Sequence, residues 1–267
     1  MAEAVKPGLA MLGLGFRVAD RSILSDITLS IARGECVAVV GPNGAGKTTL
    51  FKAALGLLRP SSGSVTWDGA DVRRMGGRER AAALAWLPQR TVVQETVPVL
   101  EFVRASRFRF SEGRAAAVDA AMAALCAVSA ESLAQQPITT LSGGEFQRVM
   151  MATLVAQDAQ TFLLDEPANH LDPRRQLDFY SMISRQWQQG RSVVCISHDI
   201  NLLTHLSPLE RASDVRVIGL DAGSLSFSLC LTDPSMKDAL ESLFSMALRV
   251  VEVSGRPYFL PSDEART

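Results

Sequence analysis

Several residue types are scarce in this chain, and each scarcity removes a class of function. Four cysteines, Cys36, Cys126, Cys195 and Cys230, lie far apart and form no C-x-x-C pair. They read as reduced, buried thiols of a cytosolic protein, two of them in apolar strands. There are three histidines. His170 and His205 make no metal-binding spacing and read as a loop residue and a helix-surface residue. Of 27 basic residues only Lys6, Lys47, Lys52 and Lys237 are lysine, a compositional bias without functional weight. A net charge of −1 gives no basic field, so nucleic acid is not an expected partner. No apolar run approaches the ~18 residues of a membrane span. Residues 1–8 carry no apolar signal region, so no secretory leader is expected there.

What is present begins with Cys36–Val40, a short apolar run, followed by Gly41-Pro42-Asn43-Gly44-Ala45-Gly46-Lys47-Thr48-Thr49. Residues 50–58 then read as a helix. This is strand, Gly-x-x-x-x-Gly-Lys-Thr loop and helix, in the order a phosphate loop requires. Glycines let backbone N–H groups crowd around phosphate oxygens, and the helix N-terminus adds donors and partial positive charge. Lys47 supplies a compact cation, and the Thr48 hydroxyl is a hard oxygen ligand for Mg²⁺. The expected ligand is a nucleoside triphosphate.

Two further motifs narrow the class. Leu141-Ser142-Gly143-Gly144-Glu145-Phe146-Gln147-Arg148 precedes a helical run, with Ser142 as N-cap and Glu145 three residues on, as in a capping box. A capped helix does not need two glycines; they expose amides for a second anion. Thr161–Leu164 reads as a buried parallel strand ending in Asp165-Glu166-Pro167. Paired carboxylates at a strand's carboxyl end sit where ligands bind in open α/β sheets; one can serve Mg²⁺, the next a water.

With these motifs in this order, the chain resembles an ABC transporter ATPase subunit over nearly its whole length. Gly41–Thr49 resembles the Walker A loop, Leu141–Gln147 the signature, and Phe162–Glu166 the Walker B strand with its catalytic glutamate. Leu87-Pro88-Gln89 resembles the Q-loop, Asn169–Asp172 the D-loop, and Val193–Asp199 the last core strand with the switch histidine. The resemblance implies an α/β P-loop NTPase core carrying an antiparallel β subdomain and a helical subdomain. It implies one cassette over 9–265. The β subdomain takes about 9–35 and 60–70, the helical subdomain about 92–157, the rest of the core about 158–230, and a terminal helix and hairpin about 234–262. At 267 residues the chain is too short for two cassettes.

The same resemblance implies a head-to-tail homodimer enclosing two ATP molecules. Gly41, Pro42, Asn43, Gly44, Ala45, Gly46, Lys47, Thr48 and Thr49 would hold phosphates. Thr48, Gln89 and Asp165 would hold Mg²⁺. Glu166 would activate water, His198 would contact the γ-phosphate, Ser142, Gly143 and Gly144 of a second copy would close on it, and Asp172 would cross the interface. It further implies integral membrane permease partners, a substrate-binding protein, and a peripheral place at the cytoplasmic face of the membrane.

Some residues depart from the family pattern. Val18 stands where an aromatic ring usually stacks on adenine. Phe16, two residues earlier on the same strand face, either replaces that ring or belongs to the core. The segment between Asn201 and Asp214 is longer than usual, and Ala168 replaces the usual Ser or Thr.

Local patterning fills in the rest. Leu12–Val18, Ile23–Ile31 and Ser64–Asp68 read as strands. Val215–Leu220, Leu225–Cys230 and a Val250–Leu260 hairpin read likewise. Arg73–Arg80 reads as a solvated loop or helix start. Residues 97–135 read as helical, with Val118, Met122, Leu125 and Val128 at helical spacing. Val92, Val93, Val97 and Val99, rimmed by Arg104, Arg107 and Arg109, read as a docking surface or as core valines under a solvated face.

The wording of Pro167–Asp172, Val99–Phe108 and Val251–Pro257 is similar to ATPases for iron-siderophore, haem and cobalamin uptake. Zinc or manganese uptake comes next, then lipid or drug export. A soluble ABC-type ATPase without a permease stays open. A nucleotide sensor without hydrolysis is disfavoured by Glu166 and His198 together.

Overall fold

The computed structural model describes residues 7–169 and 171–262. The readings made for residues 1–6, His170 and the last residues to 265 lie outside them.

Two layers of strands organise the chain. Strands β1 (Pro7–Val18) and β2 (Arg21–Ala32) form an antiparallel pair, and β3 (Cys36–Val40) leaves them for the core. Helix α1 (Lys47–Ala54) follows, then β4 (Ser62–Trp67), β5 (Ala70–Asp71), α2 (Gly77–Ala83) and β6 (Leu84–Leu87). Helices α3 (Val99–Ala105), α4 (Arg114–Ala127) and α5 (Gly143–Gln157) come before β7 (Thr161–Asp165), α6 (Pro173–Gln188) and β8 (Ser192–Ile196). The chain closes with α7 (Ile200–Leu203), β9 (Val215–Asp221), β10 (Ser224–Cys230), α8 (Met236–Phe244), β11 (Leu248–Val253) and β12 (Arg256–Pro261). One sheet has the order β2-β1-β4-β5, the central sheet β10-β9-β3-β8-β7-β6, and β11 pairs with β12 alone.

In the central sheet β9, β3, β8, β7 and β6 are parallel, and β10 is antiparallel at one edge. β3, β7 and β8 are buried throughout, as apolar runs covered on both faces should be. Strand alternation divides their side chains between two cores. Ala38, Phe162, Leu164 and Cys195 face the core shared with α3, α4, α5 and α6; Val37, Val39, Leu163 and Ile196 face the core shared with β1, β2 and α1. Because the strands run parallel, the segments after β3, β6, β7 and β8 leave the same edge of the sheet.

The structure revises some expectations. In α4 the fully buried positions are Ala117, Ala121, Ala124 and Leu125, while Val118 and Met122 are half-buried against the same core. Alanines let α4 approach its neighbours closely, which a search for large apolar residues passes over. Cys36 and Cys195 are buried, but Cys126 and Cys230 are exposed. Cys230 ends β10, an edge strand whose alternate residues face outward. Burial pushes the Cys195 thiol up to about 12, so it is unreactive. The polar Arg73–Arg80 stretch contains the start of α2.

Arg107 and Arg109 do not form a free charged rim. Arg107 donates from Nη2 to Glu112 at 2.7 Å and from Nη1 to the Ala156 carbonyl at 2.9 Å. Arg109 donates to the carbonyls of Gln157 (2.7 Å) and Asp158 (2.8 Å), and both guanidinium groups lie over the Phe110 ring at 4.0 and 3.8 Å. They serve the last carbonyls of α5, which have no partner within the helix. Val99 is buried and Val93 and Val97 pack on the core, whereas Val92 (80% exposed) and Phe108 (58%) face solvent.

Candidate functional site

The loop after β3 bends on Gly41, Gly44 and Gly46, at φ of 153°, 81° and 100°. A Cβ on Gly41 would stand 2.0 Å from the Leu220 carbonyl oxygen, and one on Gly46 2.9 Å from that of Ile23. Backbone stands in the way at both positions, and at Gly46 the Leu24 side chain does too, at 2.8 Å. The loop delivers Lys47 into α1 with its ammonium donating to the carbonyls of Gly41 (2.7 Å) and Pro42 (3.0 Å). Burial lowers the Lys47 pKa from its ordinary value, opposed by Glu166 and Asp165 nearby. Thr48 donates its hydroxyl to Asp165 Oδ2 at 2.8 Å, joining the loop to the end of β7.

Asp165 is 1% exposed, and its Oδ1 has no hydrogen-bond partner among the described residues. Burial raises its pKa; Thr48 and Lys47 act the other way. A buried carboxylate oxygen without a donor, beside a threonine hydroxyl, is a donor set that suits a hard cation.

Glu166 follows in the left-handed region at φ 51°, a conformation non-glycine residues seldom adopt. Its N–H donates to the Ile196 carbonyl at 3.0 Å, pinning the turn to β8. Its carboxylate is gripped from three sides. Gln89 Nε2 and Asn169 Nδ2 donate to Oε2, and His198 Nε2 meets Oε1. The phosphate loop from Asn43 to Thr49 borders one depression of about 420 Å³ together with Gln89, Glu166 and His198. Gln89 thus reaches this depression through Glu166, and has no bond to Thr48 or Asp165.

The other sequence candidates form a separate cluster. Ser142 N and Oγ donate to Glu145 Oε2 at 2.9 and 2.6 Å, completing the capping box of α5. These bonds lower the Glu145 pKa. Asp172 caps α6 by accepting from Arg175 N at 3.0 Å and pairs with Arg175 Nε at 3.2 Å. A Cβ on Gly144 would stand 2.9 Å from Arg175 Nη1, so Gly144 and Asp172 both adjoin the Arg175 side chain. Within one chain Ser142, Gly143, Gly144 and Asp172 do not line the phosphate-loop depression. Gln147 connects the clusters by donating to the Pro167 carbonyl, next to Glu166.

Arg21 and Ile23, at the start of β2, also border the depression, and sequence reading missed both. Their only signal is a turn residue before a strand. Asn169 was read as D-loop wording, not as a hold on Glu166; its spacing of three residues is the signal that could have shown this.

Of the two readings of Phe16, the structure favours a residue packed on the core. Val18 is 57% exposed, and Phe16 is half-buried against the β-subdomain core. A register shift between Phe16 and Arg17 leaves Ile23 of β2 without a partner in the ladder. We therefore expect Val18→Tyr to strengthen the binding of ATP and GTP alike, since one stacked base is worth ~1–3 kcal/mol whichever purine it is. Titration of wild type and variant with both nucleotides checks this; affinity for both lost in Phe16→Ala would make Phe16 the stacking residue.

A family model described as ABC transporter matches residues 24–169, just over half of the chain. The chain belongs to this family. It is an ATPase of the ABC type, with the α/β fold of that group. Over 270 residues it is 34% identical to the hemin import ATP-binding protein HmuV of Rhodopseudomonas palustris, covering 97% of each chain. It is 40% identical over 195 residues to HmuV of Pseudomonas entomophila, covering 71% of this chain and 76% of that one. The zinc import ATP-binding protein ZnuC of Pseudomonas putida is 38% identical over 191 residues, covering 71% of this chain and 68% of that one. Among solved structures, a dimeric bacterial ABC transporter cassette superposes with a TM-score of 0.73 at 22% identity, covering 84% of this cassette and 99% of that chain. At that identity the likeness is one of fold.

Proposed function

We propose that this cassette is the ATP-hydrolysing subunit of an importer for a metal chelate of the haem, iron-siderophore or cobalamin kind, working through a separate membrane permease at the cytoplasmic face. The observation that carries this reading is the end-to-end similarity to a hemin import ATPase, joined to a complete set of hydrolytic side chains around Glu166. Zinc import is the second reading, favoured by the similarity to ZnuC. Deleting the gene and growing the cells on hemin, on a ferric chelate and at low zinc separates the two. Growth lost on hemin or chelate, and restored by wild type but not by Glu166→Gln, supports the first reading; a defect confined to low zinc supports the second.

The reaction is positional and electrostatic. The N–H groups of the phosphate loop and Lys47 hold the β- and γ-phosphates. Mg²⁺, held by Thr48 and Asp165 with Gln89 beside them, would neutralise charge between the phosphates. Glu166 takes a proton from the attacking water, and its fixed orientation from Gln89, Asn169 and His198 aims the carboxylate. The cluster of Ser142, Gly143 and Gly144 closes the γ-phosphate from a second copy, with Asp172 at the contact, in a head-to-tail dimer. A substrate-binding protein would deliver the chelate to the permease on its other side.

No helix among the described residues is long and apolar enough to cross a membrane. Exposed Val92 and Phe108 follow Gln89 and lead into the helical layer, so this stretch is the proposed permease contact. Val92→Asp with Phe108→Asp should abolish stimulation by the permease and leave basal hydrolysis within about twofold, since neither residue touches the depression. Basal and stimulated rates in lipid vesicles check this; stimulation that survives both substitutions contradicts the placement.

A further inference from the structure

The long segment after His198 is fastened to the C-terminal hairpin by side chains. Asn201 donates from Nδ2 to the Phe259 carbonyl (3.2 Å) and accepts the Phe259 N–H at Oδ1 (2.7 Å), taking both backbone groups of one β12 residue. Arg256 donates to the carbonyls of Thr204 and Ser207. Phe259 is 4% exposed and belongs to the main core, so the anchor is rigid.

The other end of this connection is His198. Asp199 caps α7 by accepting from Asn201 N at 2.8 Å. Ser197 accepts from Tyr180 Oη (3.2 Å) and Asp199 N (3.1 Å), and donates to the Asp199 carbonyl (3.0 Å). His198 therefore sits on a short span fixed at Ser197 by the core and at Asn201 by the hairpin. A cavity of about 360 Å³ is bounded by Glu166 and His198 on one side and by Asn201, Phe259 and α8 on the other. Without the Asn201 tie, the side of His198 facing this cavity has room to shift.

We propose that Asn201 is a positioning residue for hydrolysis, coupling the C-terminal hairpin to the placement of His198 against Glu166 and the γ-phosphate. The inference rests on the role given to His198 above. A tie that acts through His198 changes turnover, not nucleotide capture, because the phosphate loop is untouched by it.

The test is steady-state ATP hydrolysis by the purified full chain, with wild type, Asn201→Ala, His198→Ala and the double variant compared, and ATP binding measured separately. Asn201→Ala should lower kcat roughly 10- to 100-fold, the scale of a small misplacement of a reacting group, with KM and ATP affinity within about twofold. The double variant should be no slower than His198→Ala, because both substitutions remove the same contribution. Unchanged kcat, a KM change as large as the kcat change, or a further loss in the double variant overturns the proposal. Hydrolysis at the wild-type rate in His198→Ala overturns the reading beneath it and the proposal with it, whatever Asn201→Ala does. If Asn201→Ala does not fold, Arg256→Gln, which releases the neighbouring tie, should give a smaller loss confined to kcat; no loss there overturns the proposal.

Discussion

Glu166→Gln cuts steady-state ATP hydrolysis by roughly 10²- to 10⁴-fold, the contribution of a general base, while ATP binding persists. The substitution keeps size and most contacts. Gln89 and Asn169 both donate to the Oε2 side, where an amide oxygen can still accept, and the amide nitrogen then faces His198. What disappears is the capacity to take a proton. The phosphate loop and Thr48–Asp165 pair are unaffected, so nucleotide is captured and held. With turnover blocked, two copies should stay closed around ATP and elute as a dimer in size-exclusion chromatography with Mg²⁺ and ATP. Normal turnover in this variant contradicts the role assigned to Glu166.

Lys47→Ala acts one step earlier and should weaken ATP binding roughly 10- to 100-fold, the scale of one or two hydrogen bonds to a charged group. Lys47 is 6% exposed and its ammonium holds the Gly41 and Pro42 carbonyls at the centre of the loop. Alanine removes the cation and the stitch together. Gly41 and Gly46 fix the loop through backbone contacts, so the variant keeps its fold. Titration with ATP reads the loss, and an unchanged melting temperature without nucleotide separates it from unfolding.

These two residues were legible in the sequence because their signals are local. Gly41 to Thr48 and Asp165-Glu166 each occupy one strand end, and parallel pairing of β3, β8 and β7 brings the ends together. The central strands were legible for the same reason: each is a short continuous apolar run, buried on both faces. What stayed hidden depends on partners remote in sequence or on small residues. Asn201 looks like an ordinary helix-surface amide until Phe259, 58 residues on, is seen to pair with it. Arg107 and Arg109 look like solvated charges because the carbonyls they serve belong to α5, nearly fifty residues away. The alanine face of α4 carries little hydropathy contrast. The separation of Ser142, Gly144 and Asp172 from the phosphate loop was legible only through the family resemblance.

That separation carries the account's central claim, that one ATP is gripped by Lys47 of one copy and by Ser142 of another. Lys47→Ala and Ser142→Arg should each be inactive alone. In a mixed dimer of the two, one of the paired sites has both faces intact. The decisive measurement is ATP hydrolysis by the two purified variants, mixed after each is shown to dimerise with wild type. Activity that appears on mixing, and is absent from either variant alone, is the result predicted; a mixture as inactive as its components contradicts a site shared between copies.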